Sequence, residues 1–599
     1  MSASFPSQID RQLAPGPQAS RARLDSWKEI ASYFQRDVRT VQFWEAKEGL
    51  PVHRQEHTAR ASVYAFPDEL DAWFEQRARK SRPAIAEPQP ADSASMQPAM
   101  ARIASIRPAW KALSALVLAA LLAGAGWLTW RAVSGPRLPG NGTIAVLPFL
   151  NLTGNSAQDY LSDGITDELT TLVASQLRLR VVARTSSFQF KGKTADVRSI
   201  GGQLDAAMIM EGSVSQQGDE LRINAQLIRA SDGYHLWSHI YDTSHGDSMA
   251  MEQQIVRDLG VVLRLRPPAE APVSQSGLDQ QAHNLDLLGE YYWNRRTSED
   301  EWKAIGYFNQ AIDRDPLYAR AYLGLAQSYL TLGGSNEAVR SDVFPKAREA
   351  AEKALQIDPG LSEAHAVLAH LLWIYDWNYP AAEIEFRKVI AANPNLPVPH
   401  LWYGLLLMYQ TRFGEAGREF AEAQALDPLN PIYLTDESHL AIYSGNYPEA
   451  IRLGEEASRV NPSFPEPHDV LGFANLYSGN AKAALDEFQK YYELSGHDHG
   501  ELAYMALVYA RMGNRAKAME FLKRAAHAEN DAAIAGSSPY VDAGVYALLG
   551  DKEQSYLSLQ KAIDARSTAV ISMLVEPAFQ SLRSEPRFQQ MLRTTGHLV

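Results

Sequence analysis

Apolar residues follow three patterns along this chain, and each pattern predicts a different kind of structure. Residues 24–80 and the residues from about 283 onward repeat apolar side chains three and four positions apart, which predicts amphipathic helices. Residues 143–260 alternate such stretches with strand-like runs, for example TIAVLPFL, which predicts a mixed α/β module. Residues 112–130 contain no charge at all and separate the first part from the rest.

The uncharged stretch has the length of a membrane span. At about 1.5 Å per residue it covers roughly the 30 Å of a hydrocarbon core. Trp110, Trp127 and Trp130 stand where interfacial aromatic residues belong, and more than a hundred residues come first, unlike in a signal peptide. The sequence therefore predicts one transmembrane helix over residues 111–131. A buried core helix is the alternative, which the polar, Pro-rich flanks disfavour.

Residues 24–80 have the pattern of three short helices with a strand before the last one. Ser26 followed by Glu29 forms a capping box that opens the first helix, and Asp37 caps the second. The strand is predicted over residues 62–66. Two helices joined by a short turn, with polar side chains displayed by the second, are what reading base edges in a major groove requires.

The candidate DNA-contacting residues are outward-facing side chains of the second helix and its surroundings. They are Arg36, Arg39, Thr40, Gln42, Phe43, Lys47, Arg54 and Arg60. Residues 1–110 contain 15 Lys and Arg against 13 Asp and Glu, a net charge of +2 that leaves −15 for the remainder. The acidic remainder argues against nucleic acid as its partner. Because phosphate contacts supply most non-specific affinity, a head used only for protein docking stays an alternative.

The head also resembles a known family. Its motifs SWKEIASYF, DVRTVQFWE, GLPVHR, SVYAF and ELDAWF are similar to those of MerR-like or excisionase-like winged-helix proteins. The resemblance implies that the second helix enters the major groove and that the wing contacts the DNA backbone. The sequence departs from the family at Phe43, where a basic residue is usual, and at Ala61, where the wing usually has Gly. These departures bear on base preference and wing geometry.

The predicted domains are joined by segments without a core. Residues 1–23 are expected to be disordered, and residues 81–108 carry five prolines among Ser and Ala, which predicts a linker. The module at residues 140–265 contains the phrases IAVLPF, DYLSDGITDEL, LRVVARTSSFQFKGK, MEGSV and AQLIRASDGYHLWSHIYD. These phrases are similar to the amino-terminal domain of TolB, and the resemblance implies no activity.

Residues with catalytic potential form no recognised motif in this module. Asp159, Asp163, Asp167 and Glu168 fall at helical spacing, which suits acid–base or metal chemistry, but acidic residues at a helix start also complement its dipole. Strand alternation and turns scatter the three histidines His235, His239 and His245. The sequence has no cysteine, no Gly-rich phosphate loop and no nucleophile elbow. We therefore expect no enzyme activity, no cofactor and no metal.

From about residue 283 to the C-terminus, pairs of helical stretches recur at a regular period. Successive helices end at Asp-Pro or Asn-Pro pairs, whose first residues are Asp315, Asp358, Asn393, Asp427 and Asn461. Small residues stand eleven positions before and after these pairs, so paired helices can approach closely. The pattern resembles the tetratricopeptide repeat (TPR), with seven units, a degenerate eighth and a C-terminal cap in residues 283–599. The resemblance implies a superhelix whose concave face suits a peptide or protein.

The predicted fold class is multidomain: a small α-rich winged helix-turn-helix, one transmembrane helix, an α/β module like amino-terminal TolB and an all-α TPR superhelix. We expect a transcription regulator tethered in a bacterial inner membrane, with the N-terminus cytoplasmic and residues 138–599 periplasmic. The TolB-like module and the TPR array are expected to form its sensing and protein-interaction region. Its expected partners are duplex DNA at the head, a protein or peptide in the TPR groove and a second copy of the chain. The alternative is an envelope TPR scaffold whose helix-turn-helix is vestigial or binds protein.

Overall fold

In the computed structural model the chain divides into two compact units, Met1–Leu118 and Ala119–Val599. The residues that the structure describes are 24, 26–34, 40–42, 45, 49–55, 62–80, 142–218, 220–244, 248–265, 279–334, 340–495, 500–529 and 538–598. The predicted disordered N-terminus, the linker and the segment 111–131 lie outside these ranges.

The described part of the first unit is a small body of helices closed by one hairpin. Its elements are helix α1 (Trp27–Tyr33), the antiparallel strands β1 (His53–Gln55) and β2 (Ser62–Tyr64), and helix α2 (Pro67–Lys80). The Ser26 hydroxyl accepts a hydrogen bond from Glu29 N at 3.2 Å and so caps α1. The buried core consists of Ile30, Ala31, Val41, Leu50, Ala65 and Leu70.

Residues 142–265 form an α/β module around a mixed sheet. Its elements are β3 (Ile144–Val146), β4 (Leu150–Asn151), α3 (Asp159–Gln176), α4 (Arg184–Ser187), α5 (Val197–Gln203), β5 (Met208–Gln217), β6 (Glu220–Arg229), β7 (Tyr234–Ser244) and α6 (Ser248–Val262). Strand β5 pairs parallel with β3 and β4 and antiparallel with β6, which pairs antiparallel with β7. Helices α3 and α6 share one core with the sheet, and α5 packs in a second.

The rest of the second unit is a stack of eight helix pairs within residues 279–564. The helices are α7 (Gln280–Trp293), α8 (Ser298–Arg314), α9 (Ala319–Gly334), α10 (Arg340–Ile357), α11 (Ser362–Ile374), α12 (Tyr379–Ala392), α13 (Pro397–Tyr409), α14 (Phe413–Leu426), α15 (Ile432–Tyr443), α16 (Tyr447–Val460), α17 (Glu466–Ser478), α18 (Ala481–Leu494), α19 (Gly500–Arg511), α20 (Arg515–Glu529), α21 (Ser538–Leu548) and α22 (Lys552–Asp564). The first helices of neighbouring pairs contact one another, which places them on the concave side. The predicted TPR-type repeat is confirmed.

Small residues let the two helices of a pair approach closely. A Cβ atom on Gly404 would lie 2.6 Å from Phe420 Cε1, and one on Gly472 would lie 2.4 Å from Phe488 Cε1. Both phenylalanine rings are fully buried. A side chain at either glycine would therefore overlap an aromatic ring that has no room to move.

The turn inside several helix pairs places a left-handed residue at the same position of each repeat. Gly445, Gly479 and Gly513 have φ values of 82°, 91° and 72°. The equivalent residues in the two preceding pairs are Thr411 at 63° and Trp377 at 56°. A side chain makes this conformation costly. The Trp377 ring is buried in the core, and that burial offsets part of the cost.

The fold-class prediction is wrong in one respect for the described part of the chain, which holds no helix long and apolar enough to cross a membrane. The array helices place their apolar side chains against neighbouring helices and carry charged residues on the other side, so they are not apolar all round. Residues 111–131, on which the prediction rested, lie outside the described residues. The described fold is mostly a TPR-like helical superhelix with a small sheet.

Replacing Gly472 with Ala should place a methyl group against the Phe488 ring and cost the second unit about 1–3 kcal/mol of unfolding free energy. Gly306→Ala is the matched control. Gly306 lies inside α8 with open space at its Cβ position, and its replacement should add about 0.5–1 kcal/mol. Urea unfolding followed by circular dichroism measures both changes. Equal stabilities of the two variants would contradict the close packing at Gly472.

Candidate functional site

Three of the eight predicted DNA-contacting residues lie in the described part of the head. Thr40 and Gln42 have helical backbone, and the Gln42 side chain is exposed while Val41 between them is fully buried. Arg54 lies on β1 with its side chain exposed. The predicted contact residues outside the described ranges are Arg36, Arg39, Phe43, Lys47 and Arg60.

The strand β1 is tied to its neighbours by two charged contacts. Arg54 Nη2 lies 2.7 Å from Oε1 of Glu45, a residue with helical backbone three positions after Gln42. His53 Nε2 lies 2.7 Å from Glu69 Oε2 in α2. The Arg54 guanidinium must therefore leave or share Glu45 to contact a DNA phosphate. An exposed pair of this kind contributes less than about 1 kcal/mol, so a phosphate can compete for it.

Four acidic residues of α3, of which only Asp159 lies in its first turn, are each engaged by a neighbouring side chain. The pairs are Asp159 with Asn151, Asp163 with Lys191, Asp167 with Arg184 and Glu168 with Arg320, at 2.6–2.7 Å between their closest atoms. Burial raises the pKa of Asp167 to about 7 although the Arg184 guanidinium opposes that change. These carboxyl groups connect α3 to the rest of the module and, through Arg320, to the array.

The histidines of the module stand apart from any cluster. His235 and His239 lie four residues apart on exposed positions of β7, and His245 lies outside the described residues. Within the ranges that the structure describes, no group of three or more His, Cys, Asp and Glu side chains is placed to hold a metal ion.

One helix-ending Asp joins the module to the array. In four of the five Asx-Pro pairs, the side chain accepts a hydrogen bond from the backbone N–H two residues later: Asp315, Asp358, Asn393 and Asn461. Asp427 instead accepts from Ser186 N at 3.0 Å, from Ser186 Oγ at 2.6 Å and from Thr185 Oγ1 at 2.8 Å. Asp427 is only 1% exposed, so α4 of the module is fixed on the loop between α14 and α15.

Backbone groups add to this contact between α4 and the loop that follows α14, which is the first joint between the module and the array. Ala183 N donates to Leu426 O at 2.8 Å, and Leu429 N donates to Ser186 Oγ at 2.8 Å. The Gln189 side chain donates to Leu429 O at 2.8 Å. Since buried backbone groups are costly to leave unpaired, the module and the loop cannot separate without losing several hydrogen bonds together.

A second joint is a buried group of charges between α3 and the first two helix pairs. Arg320 lies 2.6 Å from Glu168, 2.7 Å from Glu290 and 3.5 Å from Asp286. Asp286 is fully buried, and burial raises its pKa to about 7. Burial also raises the pKa of Glu168. The Arg320 guanidinium therefore forms ion pairs with three acidic groups at this joint.

The concave face of the array carries a ladder of tyrosines, one from each of four consecutive helix pairs. They recur at the period of the repeat, at the ends of the first helices: Tyr375, Tyr409, Tyr443 and Tyr477. The rings of Tyr409 and Tyr443 lie 6.0 Å apart. The Tyr477 hydroxyl donates a hydrogen bond to Oε1 of Glu576, which comes from the segment after α22. The chain itself therefore occupies part of this face.

Two of these features are absent from the sequence predictions. The tyrosine ladder has a signal that would have revealed it, because Tyr recurs with the period of the repeat itself. Asp427 has no such signal. Asp also ends helices at two other repeats, and the partner that distinguishes Asp427 lies 241 residues away along the chain.

The α/β module matches a known family of domains. Residues 140–259 match the profile of the second domain of HilA/YgeH-like transcriptional regulators. The chain thus combines a domain of the kind found in these regulators with TPR-like repeats, a composition that fits a transcription regulator or a TPR scaffold.

A protein named "Putative adenylate cyclase 3" from Rhizobium meliloti (strain 1021) is 32% identical to this chain over 239 residues. The alignment covers 39% of this chain and 40% of that protein. The chain therefore spans about two fifths of the length of this relative.

Several solved structures match this chain at low similarity. The hetero-tetramer Cut9-Hcn1 of APC/C has a TM-score of 0.36 and 17% identity, covering 51% of this chain and 56% of that one. A tetratricopeptide repeat protein from Parabacteroides merdae ATCC 43184 has a TM-score of 0.31 and 15% identity, covering 45% and 99%. Pseudomonas aeruginosa pilF has a TM-score of 0.28 and 22% identity, covering 36% and 94%. Overlap this low says nothing about what this chain binds.

Replacing Arg320 with Met should leave the buried carboxyl groups of Glu168 and Asp286 without their cation. We expect a loss of about 3–5 kcal/mol of unfolding free energy at pH 8. The loss should be smaller at pH 5, because carboxyl groups with raised pKa values are then protonated and neutral. Urea unfolding at both pH values measures the difference.

Arg222→Met is the matched control for this change. Arg222 pairs with Asp242 on the surface of the sheet, with both side chains about 60% exposed. Such an exposed pair is screened by solvent and contributes little to the free energy of unfolding. A loss at Arg320 that equals the loss at Arg222, or that does not depend on pH, would show that the charges at the joint are not coupled.

Proposed function

We propose that this chain is a transcription regulator whose head binds duplex DNA and whose array binds a protein that controls the head. The observation that carries the proposal is the match of residues 140–259 to a domain of HilA/YgeH-like transcriptional regulators. The head supplies a second observation. Gln42 is exposed and its neighbour Val41 is buried, as in a helix that packs one side on a core and presents the other side to solvent.

The geometry of the second unit supports a role for the array in control. The module is held on the array by the hydrogen bonds of Asp427 and by the charges around Arg320. A partner bound to the array therefore acts on a body that includes the regulator-type module. Coupling of this kind is a free energy shared between two sites, and it requires such physical continuity.

Several finer expectations remain predictions alongside this proposal. They are the resemblance of the head to MerR-like or excisionase-like proteins, the resemblance of the module to amino-terminal TolB, the homodimer, the inner-membrane location and the absence of enzyme activity. The name adenylate cyclase belongs to the relative alone, since this chain spans only about two fifths of that protein's length.

Binding of the full chain to duplex DNA tests the proposal. Selection from a random duplex library supplies a site, and fluorescence anisotropy at 50 and 200 mM salt then measures affinity. Binding should weaken with salt, with a slope of about −0.9 per phosphate contact. Gln42→Ala should cost about 1–3 kcal/mol if Gln42 contacts a base. Gln203→Ala, an exposed glutamine in α5, is the matched control and should leave binding unchanged.

Glu45→Gln tests the place of Arg54 in the same assay. The change removes the carboxylate that holds the Arg54 guanidinium and should steepen the salt slope by about 0.9, one additional phosphate contact. Failure of the full chain to bind any duplex at 50 mM salt would replace the regulator with the scaffold alternative, in which the head binds protein.

A further inference from the structure

The chain after α22 leaves the repeat pattern and turns back onto the array. This C-terminal segment, residues 566–598, contains two 3-10 turns, Thr568–Ser572 and Pro577–Phe579, and the helix Pro586–Thr594. Its fully buried apolar side chains include Val570, Met573, Phe579, Leu582 and Phe588. They belong to the same core cluster as Trp373 and Tyr379 of the third helix pair. The segment is thus packed against a much earlier part of the array.

Both ends of the C-terminal segment contact the turn between α11 and α12. Arg566 donates a hydrogen bond to Tyr375 O at 2.7 Å, and its guanidinium lies 4.4 Å from the Trp377 ring centroid. Gly596 has a φ of 75°, and a Cβ atom there would lie 2.1 Å from Trp377 O. Only glycine permits this approach, because any side chain would be strained and would overlap the backbone.

The middle of the segment places a carboxyl group among tyrosines of the concave face. The Tyr477 hydroxyl donates to Glu576 Oε1, and the Phe579 ring centroid lies 5.4 Å from that of Tyr540. Burial and the nearby Glu576 carboxyl hold the pKa of Tyr477 and that of Tyr540 well above their usual range. Both hydroxyls therefore stay protonated, and that of Tyr477 remains a hydrogen-bond donor.

These contacts have the form of a bound peptide. An irregular segment lies on the concave face of a TPR-like superhelix, with one carboxyl group bound by a hydroxyl donor and one aromatic ring seated three residues later. Concave faces of solenoids serve as extended binding surfaces. In this chain the occupant is covalently attached, so its binding is intramolecular and it excludes competitors of equal intrinsic affinity.

We propose that the C-terminal segment is an internal ligand of the concave face, and that a protein partner binds there by displacing it. The partner would present a short segment in the same 3-10 turn conformation, with the chemistry of residues 575–579: a carboxyl group, then proline, then an aromatic ring three positions after the carboxyl group. The inference rests on the proposed function only in naming the array as the protein-binding part. A partner's access to the concave face thus depends on how strongly residues 566–598 bind to the array.

A fluorescent synthetic peptide of residues 568–582 is the probe, added to the full chain and measured by anisotropy. Gly596→Ala should loosen the internal segment and raise peptide affinity at least tenfold over the unmodified chain. Gly550→Ala is the matched control: its φ is 76°, so the backbone strain is the same, but its Cβ position is open. This control should bind the peptide no better than the unmodified chain.

The Tyr477 contact is tested in the same peptide-binding assay. Adding Tyr477→Phe to Gly596→Ala should lower peptide affinity several-fold, and a peptide with Ala in place of Glu576 should lose affinity to the same extent. Glu576→Ala in the chain itself removes the internal carboxyl contacts with Tyr477 and with Ala578 N, and it should raise affinity for the unmodified peptide. This variant keeps the test valid if Gly596→Ala does not fold.

Hydrogen exchange checks that the segment and not the array has loosened. In Gly596→Ala, residues 568–582 should exchange faster while α15 and α17 keep their protection. Peptide binding that is the same in the unmodified chain, Gly596→Ala and Glu576→Ala would overturn the proposal. So would unchanged protection of residues 568–582 in both variants. DNA binding is read out separately, so a failure here leaves the regulator proposal standing.

Discussion

The second unit depends on the close approach of paired helices, in which a small residue of one helix meets a buried phenylalanine of the other. Gly404 with Phe420 and Gly472 with Phe488 show the contact, two repeats apart. Since a closely packed interior does not yield to an added methyl group, this contact fixes the angle and distance between helices at each repeat. The positions of the repeats relative to one another follow from the superhelix that results.

The superhelix brings together groups that lie far apart along the chain. Asp427 reaches Ser186 of the module, and Arg320 reaches Glu168, because the second and fourth helix pairs both contact the module. The two joints differ in kind. Hydrogen bonds fix the first, whereas the second holds buried charges that are costly unless all their partners are in place. Together they make the module and the array one body.

The same curvature brings the C-terminal segment to the turn at Trp377 and across the tyrosine ladder. Trp377 and Gly596 both have left-handed backbone, and the two residues meet at this contact. This conformation is costly for Trp377, which has a side chain, whereas glycine adopts it readily. Strained positions persist where the surrounding structure requires them, and they cluster at sites of ligand contact and switching. Under our proposal that the concave face binds a protein, the question of what the array binds becomes the question of what displaces the segment.

The sequence by itself determined the local part of this fold. Helix pairs, the repeat period, the small residues between paired helices and the glycines at the turns follow from interactions between residues close in the chain, so their pattern is visible in one sequence. The same holds for the α/β character of the module. Hydropathy alone also led to the predicted transmembrane helix. No helix of that kind occurs in the described ranges, where the apolar sides of the array helices pack against neighbouring helices.

Tertiary structure alone decided the contacts between residues far apart in the chain. Asp427 and Asp315 both precede a proline, but only Asp427 meets a partner 241 residues away, and Glu576 meets Tyr477 from 99 residues away. In the head, the structure describes three of the eight predicted DNA-contacting residues and shows Arg54 paired with Glu45, so their part in DNA binding stays a prediction. Long-range pairs of this kind leave no periodic trace in a single sequence, because they depend on where the superhelix brings each residue and not on its neighbours in the chain.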